Sequence, residues 1–251
     1  MDGLRDSVRA WIAEFIPIYC REHGEEPIWR EPLVGLADAA SPEFARIREI
    51  GNERQKLPSD YLDGATTVIS YFLPFTEAIS EDNEGGEFAT PCWAHAYGLT
   101  NAMAAELCQH IAEKVRGMGY RAEVPVDAGI ILDRTYSCWS QRHVARIAGL
   151  GSFGMNQMLI TESGCCGRFF SVITDVPCEH DAYFDGERCL YKRDGSCGLC
   201  MDVCPGHALR EDGFDRVACD ERCTINEERS GKQVCGKCLN GMPCTFTDPS
   251  A

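Results

Sequence analysis

Cys197-Gly198-Leu199-Cys200-Met201-Asp202-Val203-Cys204-Pro205 decides how the C-terminal part of this chain is read. In the bacterial iron-sulfur run that shares this Cys-x2-Cys-x3-Cys-Pro spacing, the first thiolates serve one cluster and the Cys before Pro reaches the other. Residues 186–251 hold nine of the sixteen cysteines. Beyond Pro205 come Cys219, Cys223, the pair Cys235-Gly236-Lys237-Cys238, and Cys244. A second ligand group after a spacer predicts two clusters and single-electron chemistry.

Crossed ligation would give one cluster Cys197, Cys200 and Cys244, and the other Cys204, Cys219, Cys235 and Cys238. The first set lacks a thiol, because a regular run would place it at residue 194, which is Asp194. Cys189 is the nearest thiol, and Asp194-Gly195 is a turn signal that would let it fold back. Cys223 stands in reserve for either cluster. Two other readings compete. A disulfide framework suits small secreted domains, but no apolar signal segment is present and the cysteines cluster at Cys-x2-Cys spacing. A zinc ribbon also repeats Cys-x2-Cys across a spacer; the Cys-Pro favours iron-sulfur. The remaining cysteines are scattered, as expected of small buried hydrophobes, and Cys165-Cys166 reads as a turn.

The chain has 251 residues, 44% of them apolar, enough for one good core plus a small cluster-stabilised module. The expected domains are 1–185, an α/β substrate domain, and 186–251, the cluster domain. No apolar run approaches a membrane span, and a cytoplasmic, reducing location is expected. Of the net charge of -15, residues 1–185 carry -13 (15 basic against 28 acidic) and residues 186–251 carry -2 (9 against 11). So acidic a first domain is a poor nucleic-acid binder.

Leu4, Val8, Trp11, Ile12 and Phe15 predict an opening helix that stops near Pro17. Ser41-Pro42 announces a second helix. Residues 65–72 read as a buried strand, residues 81–87 as an acidic loop, and residues 99–118 as a long helix. Alternation over 120–126 predicts a strand. A helix carrying Trp139, His143, Val144 and Ile147 and strands over 157–161 and 168–174 complete the first domain. Strands alternating with helices predict an α/β fold with helices covering a sheet.

Gly149-Leu150-Gly151-Ser152-Phe153-Gly154 has Gly-x-Gly-x-x-Gly spacing. A dinucleotide loop needs a strand before it and a helix after it, and here the order is reversed. The glycines read either as a helix C-cap with tight packing or as a place where backbone approaches a flat ligand.

The stretch 148–161, followed by Val172-Ile173-Thr174-Asp175-Val176-Pro177 and the Cys-Pro module, resembles the cobalamin-dependent epoxyqueuosine reductases and the related reductive dehalogenases. Leu57-Pro58, the 66–74 strand and Val126-Asp127-Ala128-Gly129-Ile130-Ile131-Leu132-Asp133 occur in the order that family uses. The resemblance implies a nitroreductase-like corrinoid-binding domain, a ferredoxin-like domain with two [4Fe-4S] clusters, and electron delivery to cobalamin. It makes Asp127 the proton donor, with Asp133 its neighbour in an alternative register. Tyr97 or Tyr136 could supply a phenol. Arg142, His143, Gly149, Leu150, Gly151, Gly154 and Asn156 become candidates for corrinoid contact. Reduced ferredoxin or flavodoxin is the expected donor, and a small organic molecule or modified nucleoside the expected substrate. The chain departs from the family at Asp194, at the five residues between Cys238 and Cys244, and at Thr245. Its end at Ala251 leaves out a C-terminal helical-repeat region, which with the acidic first domain speaks against tRNA. A non-catalytic electron carrier, or a reductive activator of a partner corrinoid or metalloprotein, is the alternative function.

Overall fold

The computed structural model describes residues 3–50, 53–126, 131–132 and 136–251. Helix α1 (Leu4–His23) runs beyond Pro17 and ends at Gly24, whose φ of 67° gives the left-handed C-cap. Pro17 lies on the exposed side, where water can serve the carbonyl that proline leaves unbonded, so the ring does not stop the helix. Strand β1 (Leu33–Asp38) follows, a strand the sequence reading passed over. Gly35 interrupts its apolar pattern because a Cβ there would lie 2.3 Å from the Ala148 carbonyl oxygen.

Helices α2 (Pro42–Ile50) and α3 (Pro58–Tyr61) lead to β2 (Thr67–Pro74). A short helix α4 (Glu77–Asp82) precedes the Gly-containing acidic loop. Helix α5 (Pro91–Gly117) starts eight residues before its expected Leu99, with Pro91 in the first turn and the Thr90 hydroxyl accepting from the Trp93 amide at 3.2 Å. Only β3 (Ala122–Glu123) forms from the predicted 120–126 strand. After β4 (Ile131–Leu132) and β5 (Tyr136–Ser137), helix α6 (Gln141–Ile147) leads into a two-stranded pair, β6 (Ser152–Phe153) with β7 (Leu159–Ile160). Strand β8 (Gly167–Thr174) closes the main sheet.

That sheet has order β1-β2-β8-β3, every pair antiparallel, with Ile69 opposite Val172 and Val68 opposite Ile173. All eight β2 residues are buried because both faces are covered. Ile69, Tyr71, Leu73 and Val172 face the core that contains α1 and α5, while Val68 and Ile173 face a second core with Phe44, Trp139 and Val144. The period of two that separates these sets is the strand's own. Trp139 is fully buried, donates to Ser171 Oγ at 2.9 Å and fixes the entry to α6. The architecture is a mixed α/β fold, with the helices on both sides of an antiparallel sheet.

The cysteine-rich region adds α7 (Leu190–Asp194), α8 (Leu199–Asp202), a β9 (Leu209–Arg210) and β10 (Gly213–Phe214) pair, and α9 (Arg216–Ser230). Its Cys189, Val234 and Leu239 share the core of α1 and α5. The C-terminal tail also lies along residues 164–166. Cys165 N donates to Cys244 O at 2.9 Å, and Cys166 N to Thr245 O at 3.1 Å. Gly164 (φ +80°) permits this approach, since a Cβ would sit 2.3 Å from Thr245 O.

Candidate cluster and cofactor site

Two hollows divide the nine C-terminal cysteines. The smaller, about 360 Å³, is lined by Cys189, Cys197, Cys200 and Cys244. Helix α7 starts just after Cys189 and stops at Gly195 (φ 76°), which turns the chain back toward Cys197. Asp194 caps that turn, accepting from Ser196 N at 2.9 Å, and is exposed. The larger hollow is an open cleft of about 1390 Å³, and its lining includes Cys204, Cys219, Cys223, Cys235 and Cys238. Asn156 is buried and lines both hollows, with its amide donating to Cys238 O at 3.2 Å.

The thiols in each hollow disfavour one another's ionisation. Burial first, then Cys244, Cys189 and Cys197, push Cys200 up to about 12. Burial and then Cys235 and Cys219 raise Cys238 well above the ordinary thiol range. Two thiols go the other way: the neighbouring Cys223, then Arg216 and Arg142, lower Cys219 to about 7 while Cys223 itself is raised, and the Cys165 thiol lowers Cys244. Bound metal reverses such mutual suppression, because a coordinating thiol is deprotonated outright. Sulfurs around a tetrahedral zinc stand about 3.8 Å apart. Among the described residues no three His, Cys, Asp or Glu side chains are gathered tightly enough to hold one metal ion. The donors that line the two hollows are mainly thiols, the ligand type that iron-sulfur clusters take.

The cleft is also lined by Phe75, Trp93, Tyr97, Arg142 and Arg168. Arg142 Nη1 donates to Gln157 O at 2.6 Å; desolvation first, then Arg216 and Arg168, lower its pKa to about 10. The Arg168 guanidinium lies 4.4 Å from the centre of the Tyr97 ring and donates to Asn101 Oδ1 at 3.1 Å. A bulky ligand with anionic or amide edges would meet apolar rings, guanidinium groups and the Asn156 amide.

The glycine-rich turn packs closely against other parts of the chain. A Cβ on Gly151 would lie 1.9 Å from Ile160 O, one on Gly149 2.6 Å from Ala182 O, and one on Gly154 2.7 Å from Asn156 Oδ1. Their missing side chains make room for the chain's own atoms. Leu150 O accepts from Arg188 at 3.0 Å. Gly154 lines the smaller hollow, and Gly149, Leu150 and Gly151 line neither. His143, next to Arg142, points into a separate hollow with Glu43, Arg46 and Tyr183. Its Nδ1 is 2.7 Å from Ser140 Oγ and its ring packs on Phe153, with a pKa lowered to about 4 by burial and then by Arg142 and Arg146. Asp127 and Asp133 lie outside the described residues, as does the side chain of Tyr136.

Three site features escaped the sequence reading. Cys165 is buried with its sulfur 3.8 Å from Cys244 Sγ, and so is more than a turn residue. Arg168 and Arg216 reach the cleft from elements far apart in the chain. Gly236 (φ +74°) lies against Trp93, whose ring would be 2.3 Å from a Cβ there. The Cys-x2-Cys spacing around Gly236 could have marked it as a tight turn.

No family model matches the chain. Epoxyqueuosine reductase from Lactococcus garvieae is 29% identical over 163 residues, covering 62% of this chain and 42% of the relative. The Bacillus anthracis epoxyqueuosine reductase is 27% identical over 169 residues, covering 64% and 40%. The chain thus spans less than half the length of these curated relatives. Among solved structures, epoxyqueuosine reductase from Streptococcus thermophilus superposes with a TM-score of 0.57 at 18% identity, over 95% of this chain and 69% of that one. The catabolic reductive dehalogenase NpRdhA gives 0.57 at 19% identity, over 86% and 30%. The chain is similar in sequence to epoxyqueuosine reductases, and it shares its fold with them and with a reductive dehalogenase.

Proposed function

We propose that this protein is an iron-sulfur oxidoreductase of the epoxyqueuosine reductase type, with two [4Fe-4S] clusters and a corrinoid. The observation that carries the reading is the division of nine clustered thiols between two hollows joined by Asn156. Cys189, Cys197, Cys200 and Cys244 hold one cluster; Cys204, Cys219, Cys235 and Cys238 hold the other. In this reading residues 1–185 form the nitroreductase-like domain and residues 186–251 the ferredoxin-like one. When bound, the clusters supply single electrons and the corrinoid a strongly reducing centre.

The chain's own part is to bind, orient and protonate. Arg142 and Asn156 offer donors along the cleft wall, and Phe75 and Trp93 offer apolar rings that exclude water. Reduction also requires a proton, and a positioned side-chain acid contributes about a hundredfold or more. Asp127 is the proposed donor. Tyr97 is the second candidate, with its ring held in the cleft wall under Arg168. Reduced ferredoxin or flavodoxin supplies electrons in a reducing, cytoplasmic setting. The substrate is a small organic molecule or a modified nucleoside. One solved relative of the same fold was crystallised with an epoxyqueuosine-modified tRNA stem loop, which favours the nucleoside.

Anaerobic reconstitution with iron and sulfide, then with hydroxocobalamin, tests the reading by metal analysis and absorbance. About eight irons and eight sulfides per chain with shifted corrinoid bands are expected. Clusters without corrinoid binding would favour the electron carrier. Zinc without sulfide would refute the iron-sulfur assignment.

A further inference from the structure

The larger hollow presents five thiols, one more than a four-iron cluster takes. Three of them line the cleft from outside α9: Cys204 and Cys235 lie in loops, and Cys238 in the short 3-10 helix Lys237–Leu239. The other two, Cys219 and Cys223, stand four residues apart on α9, so they share one face of that helix. Both thiols line the same cleft as Cys204, Cys235 and Cys238. Both lie within electrostatic reach of Cys235, which faces Cys204 as well. Helix α9 is fixed at its start, where the Asp215 carboxylate accepts from Ala218 N at 3.0 Å. Further along, Arg222 pairs with Glu87 at 2.9 Å and Asn226 Oδ1 accepts from Ala89 N at 3.0 Å. A helix anchored at its start and along its middle thus carries both thiols into the cleft from one face.

We infer that Cys219 and Cys223 are interchangeable fourth ligands of the second cluster. This rests on the iron-sulfur reading above. The cluster is held by Cys204, Cys235, Cys238 and either member of the pair, while the other thiol donates its S–H to the bound thiolate. Exchange moves one proton from the incoming thiol to the departing thiolate and leaves the iron and electron counts unchanged.

The test uses the full chain, reconstituted anaerobically with ferrous iron and sulfide, in the forms Cys219→Ser, Cys223→Ser, the double variant and Cys235→Ser. Wild type and each single helix variant are expected to hold about eight irons, and the double variant and Cys235→Ser about four. The reduced wild-type second cluster is expected to give two overlapping EPR species, each single variant keeping one of them. A fall to about four irons in Cys219→Ser or in Cys223→Ser overturns the exchange, as does a double variant that retains about eight. One wild-type EPR species that Cys223→Ser leaves unchanged also overturns it, and this reading needs no variant of the other thiol to fold. Wild-type protein without iron and sulfide would overturn the iron-sulfur reading itself and this inference with it, an outcome distinct from any of the variant results.

Discussion

The sulfur of Cys165 lies 3.8 Å from the sulfur of Cys244, although 79 residues separate them in sequence. Asn156 Nδ2 approaches the same Cys165 sulfur at 3.6 Å, so the thiol is oriented by a donor on one side and meets an acceptor on the other. An S–H directed at a ligand sulfur stabilises the extra negative charge of the reduced cluster. Cys165→Ala is therefore expected to lower the midpoint potential of the first cluster while the iron count stays at the wild-type value. An EPR-monitored redox titration checks it; an unchanged potential would mean that the contact carries no tuning.

Cys189 lines the same hollow as Cys197, Cys200 and Cys244 and is the proposed substitute for the ligand missing at Asp194. Cys189→Ser is expected to reduce bound iron from about eight to about four, whereas Cys178→Ser, whose thiol lies beside Thr67 at 3.3 Å, leaves it unaltered. Iron and acid-labile sulfide analysis of the two variants distinguishes a ligand from a buried thiol.

Gly151→Ala is expected to destabilise the protein with or without any corrinoid, because its Cβ would meet the Ile160 carbonyl at 1.9 Å. Overpacking of this kind costs about 1–3 kcal/mol, and more where backbone must move. Gly117→Ala, which adds its methyl in open space, is the control and is expected to be neutral or slightly stabilising. Thermal melting of the two variants decides it. A Gly151→Ala protein as stable as wild type would mean that the close approach of Ile160 imposes no packing requirement on residue 151.

His143 links stability to pH. Its folded pKa is lowered to about 4, below the ordinary value of about 6.5 that the unfolded chain shows. Above 6.5 both states hold a neutral ring, and the folded state keeps its full stability. As pH falls from about 6.5 to about 4 the unfolded chain takes up the proton first, so stability declines, by on the order of 3 kcal/mol from this group. His143→Gln should flatten that part of the profile, read as the difference between urea unfolding curves for the variant and wild type at a series of pH values.

The local code of the chain specified several elements almost completely. Ser41-Pro42 starts α2 as expected, and the apolar stretches that became β2 and β8 lie within two residues of their predicted bounds. These are segments where capping chemistry or a continuous β-branched and aromatic run settles the matter without neighbours. The cysteine spacing likewise grouped Cys189, Cys197, Cys200 and Cys244 apart from Cys204, Cys219, Cys235 and Cys238, the same grouping as around the two hollows.

Tertiary contacts decided the rest. Strand β1 was illegible because Gly35 breaks its pattern, and that glycine is required only by Ala148, more than a hundred residues away. Pro17 ended the helix on paper and not in the fold, because its exposed position lets water complete the backbone. Nor did the glycine spacing of 149–154 say what approaches so closely; only the folded chain identifies the backbone of Ile160 and Ala182. The cleft brings Arg142, Arg168, Arg216 and five thiols together from separate elements. A sequence fixes which donors exist and how neighbours along the chain are spaced. The distance between Cys165 and Cys244 depends on long-range pairing of the tail with residues 164–166, and no periodicity or local spacing encodes that pairing.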